Sequence, residues 1–238
     1  MRFKDKSVLI TGASGGIGQK LVLAFSAEGA NVCAVYCRNK ESFSENPNDG
    51  SVHMVQGDLT LPLSAKTIVD ICIAKYGAVD ILINSAAVTA DGFIKNMTAE
   101  EFTKVVVDNL ALVFNVSKYV AAEMKGKKSG HIITISSIVA EIGAIGCSNY
   151  VASKGAASSF TRALAKEVAR DGIFANNLVL GYFDAGLGAR LSPELKEKIS
   201  KTIPLGRFGN PDDVVRAAFF LAETEYMTGQ DLTVSGGL

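Results

Sequence analysis

Short apolar runs alternate with amphipathic stretches along nearly the whole chain. Ser7-Val8-Leu9-Ile10 reads as a buried strand. Leu21, Val22 and Phe25 follow it at helical spacing, and that pattern stops at Gly29. The alternation then repeats. Strand patterns fall at 31–36, 52–55, 79–83, 131–136, 173–179 and 231–234, and helical ones at about 64–75, 98–124, 150–170 and 210–222. Thr98 with Glu101 three residues on has the form of a capping box. Asn210-Pro211-Asp212-Asp213 opens the last helix in the same way. Phe43 to Gly50 is polar and rich in turn formers, so it predicts a loop.

Strands alternating with helices predict an α/β fold with right-handed crossovers: a Rossmann-type, doubly wound, seven-stranded parallel sheet with helices on both faces. One domain over 1–238 accommodates it, with a substrate lid at about 185–205 after the sixth strand. Ligands of such sheets lie beyond the carboxyl ends of the strands. The glycine-rich turn at 11–18, Asn84, Ser137 and Phe183 all follow strand ends, which predicts one shared site.

Composition narrows the classes. The chain has 238 residues, 48% of them hydrophobic, and 24 basic against 24 acidic side chains. That balance offers no basic stripe for nucleic acid, and no run of about 18 apolar residues points to a membrane. The N-terminus carries no apolar leader pattern, so it is read as unprocessed and the chain as cytoplasmic. Cys33, Cys37, Cys72 and Cys147 form no C-x-x-C pair and read as free thiols, and two histidines leave no zinc constellation.

The candidate chemistry begins at Thr11-Gly12-Ala13-Ser14-Gly15-Gly16-Ile17-Gly18, a glycine turn between strand and helix. Such a turn lets the backbone approach a pyrophosphate, whose charge the helix N-terminus attracts. The second strand ends in Tyr36-Cys37-Arg38-Asn39-Lys40, with no carboxylate before Glu41. A cation there favours a 2′-phosphate, so NADP(H) is expected over NAD(H), and solvated loop charges are the competing reading. Asp58, before Leu59, either accepts from an adenine amino group or caps the next turn. His53 reads as structural. Asn84-Ser85-Ala86-Ala87 places small residues at a strand end, where a cofactor has room. Asn109 lies mid-helix, which is unfavourable by propensity, so it either faces solvent or has a task. Tyr150 and Lys154 stand four apart on one helix face. A nearby ammonium lowers a phenol's pKa, and the tyrosine then becomes a usable general acid or base. The loop at 138–147, rich in Gly and Ile, reads as an apolar mouth.

Taken together these motifs resemble the short-chain dehydrogenase/reductases over about residues 4–238. Thr11-Gly-x-x-x-Gly16-Ile-Gly18, Asn109, Ser137 and Tyr150-x-x-x-Lys154 stand in that family's order and spacing. Within it the chain is most similar to the 3-oxoacyl-(acyl-carrier-protein) reductases, on Asn149-Tyr150-x-Ala-Ser-Lys154, Pro204-Leu-Gly-Arg207-Phe-Gly and the stretch from Tyr226 to Val234. The resemblance implies a catalytic set of Asn109, Ser137, Tyr150 and Lys154. Tyr150 would protonate a carbonyl as hydride arrives from the nicotinamide. Lys154 would tune Tyr150 and hold the ribose, Ser137 would bind the carbonyl oxygen, and Asn109 would hold a relay water. Cofactor contacts are implied for Gly12, Ser14, Gly16, Ile17, Gly18, Arg38, Asp58, Leu59, Asn84, Ser85, Ala86, Tyr150, Lys154 and the backbone of Phe183. The implied activity is NADPH-dependent reduction of a 3-oxoacyl thioester, in fatty-acid or polyketide-type biosynthesis. No metal is required. A dehydrogenase or reductase of a free alcohol, sugar or ketone is the alternative, and a cofactor-binding partner subunit without turnover is the third reading. A homotetramer is implied. An acidic acyl carrier protein is the expected partner, with Lys125, Lys127, Lys128 and Arg170 as docking candidates or merely solvated charges.

The chain also departs from the family pattern. Asn84-Ser85-Ala86-Ala87 replaces Asn-Asn-Ala-Gly, Leu180-Gly181 replaces Pro-Gly, Ala185 stands where threonine is frequent, and Ser235 replaces the final Asp. Gly15 stands where NADP-preferring members often carry arginine, which leaves Arg38 and Ser14 to hold a 2′-phosphate.

Overall fold

The computed structural model describes residues 1–38 and 50–238. The expected loop at 43–49, with Asn39, Lys40 and Glu41, lies outside the described residues. Seven parallel strands form one sheet in the order β3-β2-β1-β4-β5-β6-β7. They are β1 (Ser7–Thr11), β2 (Asn31–Tyr36), β3 (Val52–Gln56), β4 (Ile81–Asn84), β5 (Gly130–Ser137), β6 (Ile173–Leu180) and β7 (Asp231–Val234). The helices between them are α1 (Gly16–Ala27), α2 (Pro62–Tyr76), α3 (Ala99–Lys127), α4 (Val139–Ile142), α5 (Ser148–Val168), α6 (Pro193–Ser200) and α7 (Pro211–Glu223). Six of the seven strand expectations match the observed strands to within a residue at each end. The fourth strand begins at Ile81 rather than Val79, because Asp80 is used otherwise: its carboxylate accepts from the Ser7 backbone N–H at 2.8 Å and pairs with Lys127 at 2.8 Å.

Both faces of the sheet are buried, as parallel sheets require. On one face α1 lies against β1 and β2, and α7 beside it lies against β5, β6 and β7. There Phe3, Phe25 and Phe219 meet with centroids 4.7–4.9 Å apart, the Phe25–Phe219 pair edge-on. On the other face α2, α3 and α5 bury Leu9, Val116, Met124, Ile132 and Ile173. α3 is long and apolar enough to cross a membrane by composition, with a mean hydropathy of 1.4 over its best window. That apolarity has a local use, since Val116, Val120 and Met124 pack into this second core.

Two helices begin as the sequence predicts. Thr98 and Glu101 form a reciprocal capping box at α3, and Asn210 with Asp213 forms one at α7. Two differences occur in the connections. α4 interrupts the expected loop at 138–147. α6 lies inside the expected lid and is capped by the Ser192 hydroxyl, which accepts from the Leu195 backbone N–H at 3.3 Å. The expected helix to Arg170 ends at Val168 and tightens into a 3-10 turn over Ala169–Asp171.

The order reverses at β1: the chain builds outward through β2 and β3, then returns to place β4 on the other side of β1. That switch point leaves a crevice beyond the ends of β1 and β4.

Candidate active site

Thr11, the last residue of β1, ties the two sides of the switch point together. Its hydroxyl accepts from the backbone N–H groups of Ser85 and Ala86 at 3.0 and 3.1 Å. The next residue, Gly12, takes φ 65°, and a Cβ there would stand 2.7 Å from the Ala86 Cα. Glycine is therefore required on two counts, conformation and close approach. Gly16 faces the segment after β6 equally closely, since a Cβ on it would lie 2.5 Å from the Gly186 nitrogen. α1 starts at Gly16 with no side-chain cap and no acidic residue in its first turn, whereas α3, α6 and α7 are all side-chain capped. Its first N–H groups face a cleft of about 1570 Å³. A helix start of this kind suits an anionic group. The residues present thus fit a dinucleotide's pyrophosphate.

The cleft runs along the carboxyl ends of the central strands. Of the expected residues it is lined by Gly12, Ser14, Gly16, Ile17, Gly18, Arg38, Asp58, Leu59, Ser85, Ala86, Ser137, Tyr150, Lys154 and Phe183. Asn84 and Asn109 do not line it. Asn84 is buried, and its amide donates to the Ser117 hydroxyl at 3.0 Å. Asn109 is 3% exposed, so the solvent-facing option is excluded. Its Oδ1 accepts from the Val88 N–H at 2.7 Å, and its Nδ2 donates to the Val88 carbonyl and to the Ser153 hydroxyl, each at 2.9 Å. Its amide therefore fastens the chain after β4 to α3 and α5. Asp58 adopts the capping option: Oδ1 accepts from the Thr60 N–H at 2.9 Å and hydroxyl at 2.7 Å, which holds its carboxyl below the usual range.

Tyr150 and Lys154 occupy one face of α5, with the lysine Nζ 5.7 Å from the phenol ring centroid. Lys154 is only 4% exposed. Its ammonium donates to the Ile135 carbonyl at 2.8 Å, and burial lowers its pKa to about 8. The seam around it is polar: Ser136 and Ser158 share a hydrogen bond of 2.7 Å, and Thr161 donates to Thr134 at 2.9 Å. These bonds fix α5 on β5 and so set where Tyr150 stands relative to Ser137. One expectation is corrected here. The Tyr150 phenol is pushed up from its ordinary value, by burial first and then by the nearby Cys147 thiol, where it ionises, and the Asp91 carboxylate. Lys154, which gives one N–H to the Ile135 carbonyl, does not offset this burial.

Asp91 and Cys147 line the cleft beside Tyr150, and neither was among the expected site residues. Nothing local marks them: one follows a run of small residues and the other precedes α5, and only the fold brings them together. Of the loop expected as an apolar mouth, Ile145 is exposed and lines the cleft, and Phe93, Leu187 and Leu195 from elsewhere in the chain complete an apolar rim with it. The docking candidates are placed differently. Lys125 pairs with Asp171 at 3.3 Å and Lys127 with Asp80 at 2.8 Å. They precede β5, and Arg170 precedes β6, so within one chain they lie at the opposite edge of the sheet from the cleft.

Residues 12–238 match the family model described as enoyl-(acyl carrier protein) reductase. Curated relatives include the 3-oxoacyl-(acyl-carrier-protein) reductase FabG of Thermotoga maritima, 36% identical over 100% of this chain and 99% of that protein. The protein of the same name from Chlamydia pneumoniae is 37% identical over 98% and 96%. Among solved structures, a gluconate 5-dehydrogenase from Burkholderia cenocepacia in complex with NADP and tartrate superposes with a TM-score of 0.90 at 30% identity, covering 100% of this chain and 97% of that one.

Proposed function

The chain belongs to the short-chain dehydrogenase/reductase family of oxidoreductases, and we propose that it reduces 3-oxoacyl thioesters to 3-hydroxyacyl thioesters with NADPH. The observation that carries this reading is the meeting of Ser137, Tyr150 and Lys154 in a cleft that opens through Phe93, Ile145, Leu187 and Leu195. An apolar mouth suits an acyl chain and offers little to a polyhydroxylated acid. The curated relatives carry the name of the same activity.

A bound nicotinamide would supply the hydride. The chain's residues do the rest. Tyr150 gives its phenolic proton to the carbonyl oxygen, and a phenol whose pKa is raised by burial stays protonated at neutral pH, as reduction requires. The Ser137 hydroxyl donates to the same oxygen and holds the carbonyl in place. Lys154, held by Ile135, stands beneath the phenol and presents its remaining N–H groups to a ribose. Asn109 acts through Val88 and Ser153 as a positioning residue. Gly12, Gly16 and the α1 N-terminus take the pyrophosphate, and Arg38 takes a 2′-phosphate. The Phe183 backbone, which lines the cleft, would hold the carboxamide. The segment at about 185–205, with α6, closes over the substrate.

Exposed Phe102, Val107 and Phe114 on α3 support a homotetramer that covers them. Free thiols at all four cysteines suit a cytoplasmic setting. A second reading, oxidation or reduction of a sugar acid, is favoured by the superposition on the gluconate dehydrogenase.

The test is NADPH consumption with the N-acetylcysteamine thioester of acetoacetate, beside NADH, a sugar-acid panel and Tyr150→Phe. Turnover with the thioester and NADPH that vanishes in the variant supports the proposal. Turnover confined to sugar acids overturns it.

A further inference from the structure

The chain between β4 and α3 carries Asp91 to the cleft, and one hydrogen bond on each side holds it there. The Ala90 carbonyl accepts from the Asn149 amide at 2.8 Å, and the Gly92 N–H donates to the Gly146 carbonyl at 2.7 Å. Both partners flank Cys147 at the start of α5, just before Tyr150. Asp91 therefore stands beside the substrate's approach to the phenol, and among the described residues it forms no salt bridge. The other cleft carboxylates are quenched or remote: Asp108 pairs with Lys104 at 2.8 Å, and Asp58 is bound by Thr60 at the end after β3.

We propose that Asp91 is a specificity-determining residue that excludes substrates carrying a free carboxylate next to the reacting carbonyl and admits neutral esters and thioesters. Asp91 is exposed at the cleft's rim, so its repulsion of a second carboxylate acts at short range and is weakened by salt. A 3-oxo acid and its thioester present the same ketone, and only the acid brings a second negative charge beside it. The field of Asp91 already registers on its neighbours, pushing up both the Cys147 thiol and the Tyr150 phenol. The inference rests on the ketoreductase reading and sharpens it, because it gives a physical reason why a sugar acid or free oxo acid is refused.

The experiment has two independent readouts on the wild type and Asp91→Asn. The first is the ratio of kcat/KM for acetoacetate to that for its N-acetylcysteamine thioester. Asp91→Asn is expected to raise it about five- to tenfold, and high salt should narrow the gap between the two proteins. The second needs no turnover. In a Cys37→Ser background, alkylation of Cys147 is followed with iodoacetate and with iodoacetamide, which attack through the same carbon and differ in charge. Both react with the thiolate, so the ratio of their rates reads the local potential independently of the thiol's pKa. Asp91→Asn is expected to raise the iodoacetate-to-iodoacetamide ratio by about the same factor. An unchanged labelling ratio overturns the proposal, and so does a changed labelling ratio with an unchanged substrate ratio. A protein that reduces neither substrate, yet shows the labelling shift, defeats the ketoreductase reading while leaving the field of Asp91 established.

Discussion

The Nζ of Lys154 donates to the Ile135 carbonyl at 2.8 Å from a position almost wholly removed from water. This bond ties α5 to β5 and fixes one of the ammonium's three N–H groups on the strand. Burial lowers the lysine's pKa to about 8.

Lys154 should accordingly shape the pH dependence of stability. Its folded pKa lies below its unfolded value of 10.5. Between those values the unfolded chain holds the proton and the folded chain does not. Stability therefore rises with pH from about 8 toward 10.5, and the full penalty is present below 8. The gain is on the order of 3 kcal/mol at most. Urea denaturation at pH 7 and pH 9.5 should show this rise in the wild type, and Lys154→Met should flatten it.

Tyr150→Phe should leave the fold and cofactor affinity intact and reduce turnover by roughly a hundredfold or more. The wild type has a further signature. The phenol's raised pKa keeps it protonated, so reduction should vary little through neutrality. The reverse oxidation needs phenolate and should climb with pH. Initial rates in both directions across pH 6 to 9 test this; an oxidation rate flat in pH would contradict it.

At the glycine turn, Gly12→Ala must place a Cβ in a left-handed conformation and against the Ala86 backbone at 2.7 Å. Strain and overpacking together should cost roughly 2–4 kcal/mol. Thermal unfolding should fall by about 4–16 °C, and NADPH fluorescence titration should show weakened binding.

Arg38 stands exposed at the end of β2, on the rim of the cleft. Arg38→Ala should lower kcat/KM for NADPH about tenfold or more and change that for NADH far less, since a lost charge-assisted contact to phosphate is worth on the order of 1.5–3 kcal/mol. Parallel kinetics with the two cofactors decide it; an unchanged ratio would remove the basis for NADP preference.

Local rules accounted for much of this molecule. Continuous apolar runs placed the strands and the 3.6-residue period the long helices, Thr98 and Asn210 marked helix starts, and the spacing of Tyr150 and Lys154 put both on one face of α5. The glycines of the first turn were legible because Gly12 must adopt a conformation that other residues resist. These features depend on covalent geometry and on neighbours in the chain, which a sequence displays directly. Only the tertiary structure decided that the Asn109 amide is spent on Val88 and Ser153, that Asp58 caps Thr60, and that Asp91 arrives beside Cys147. It also reversed the expected direction for the Tyr150 phenol, because burial and partner choice are set by residues far apart in the chain. Charge and hydrogen-bonding capacity are written in the sequence, but the partners that use them are chosen by packing.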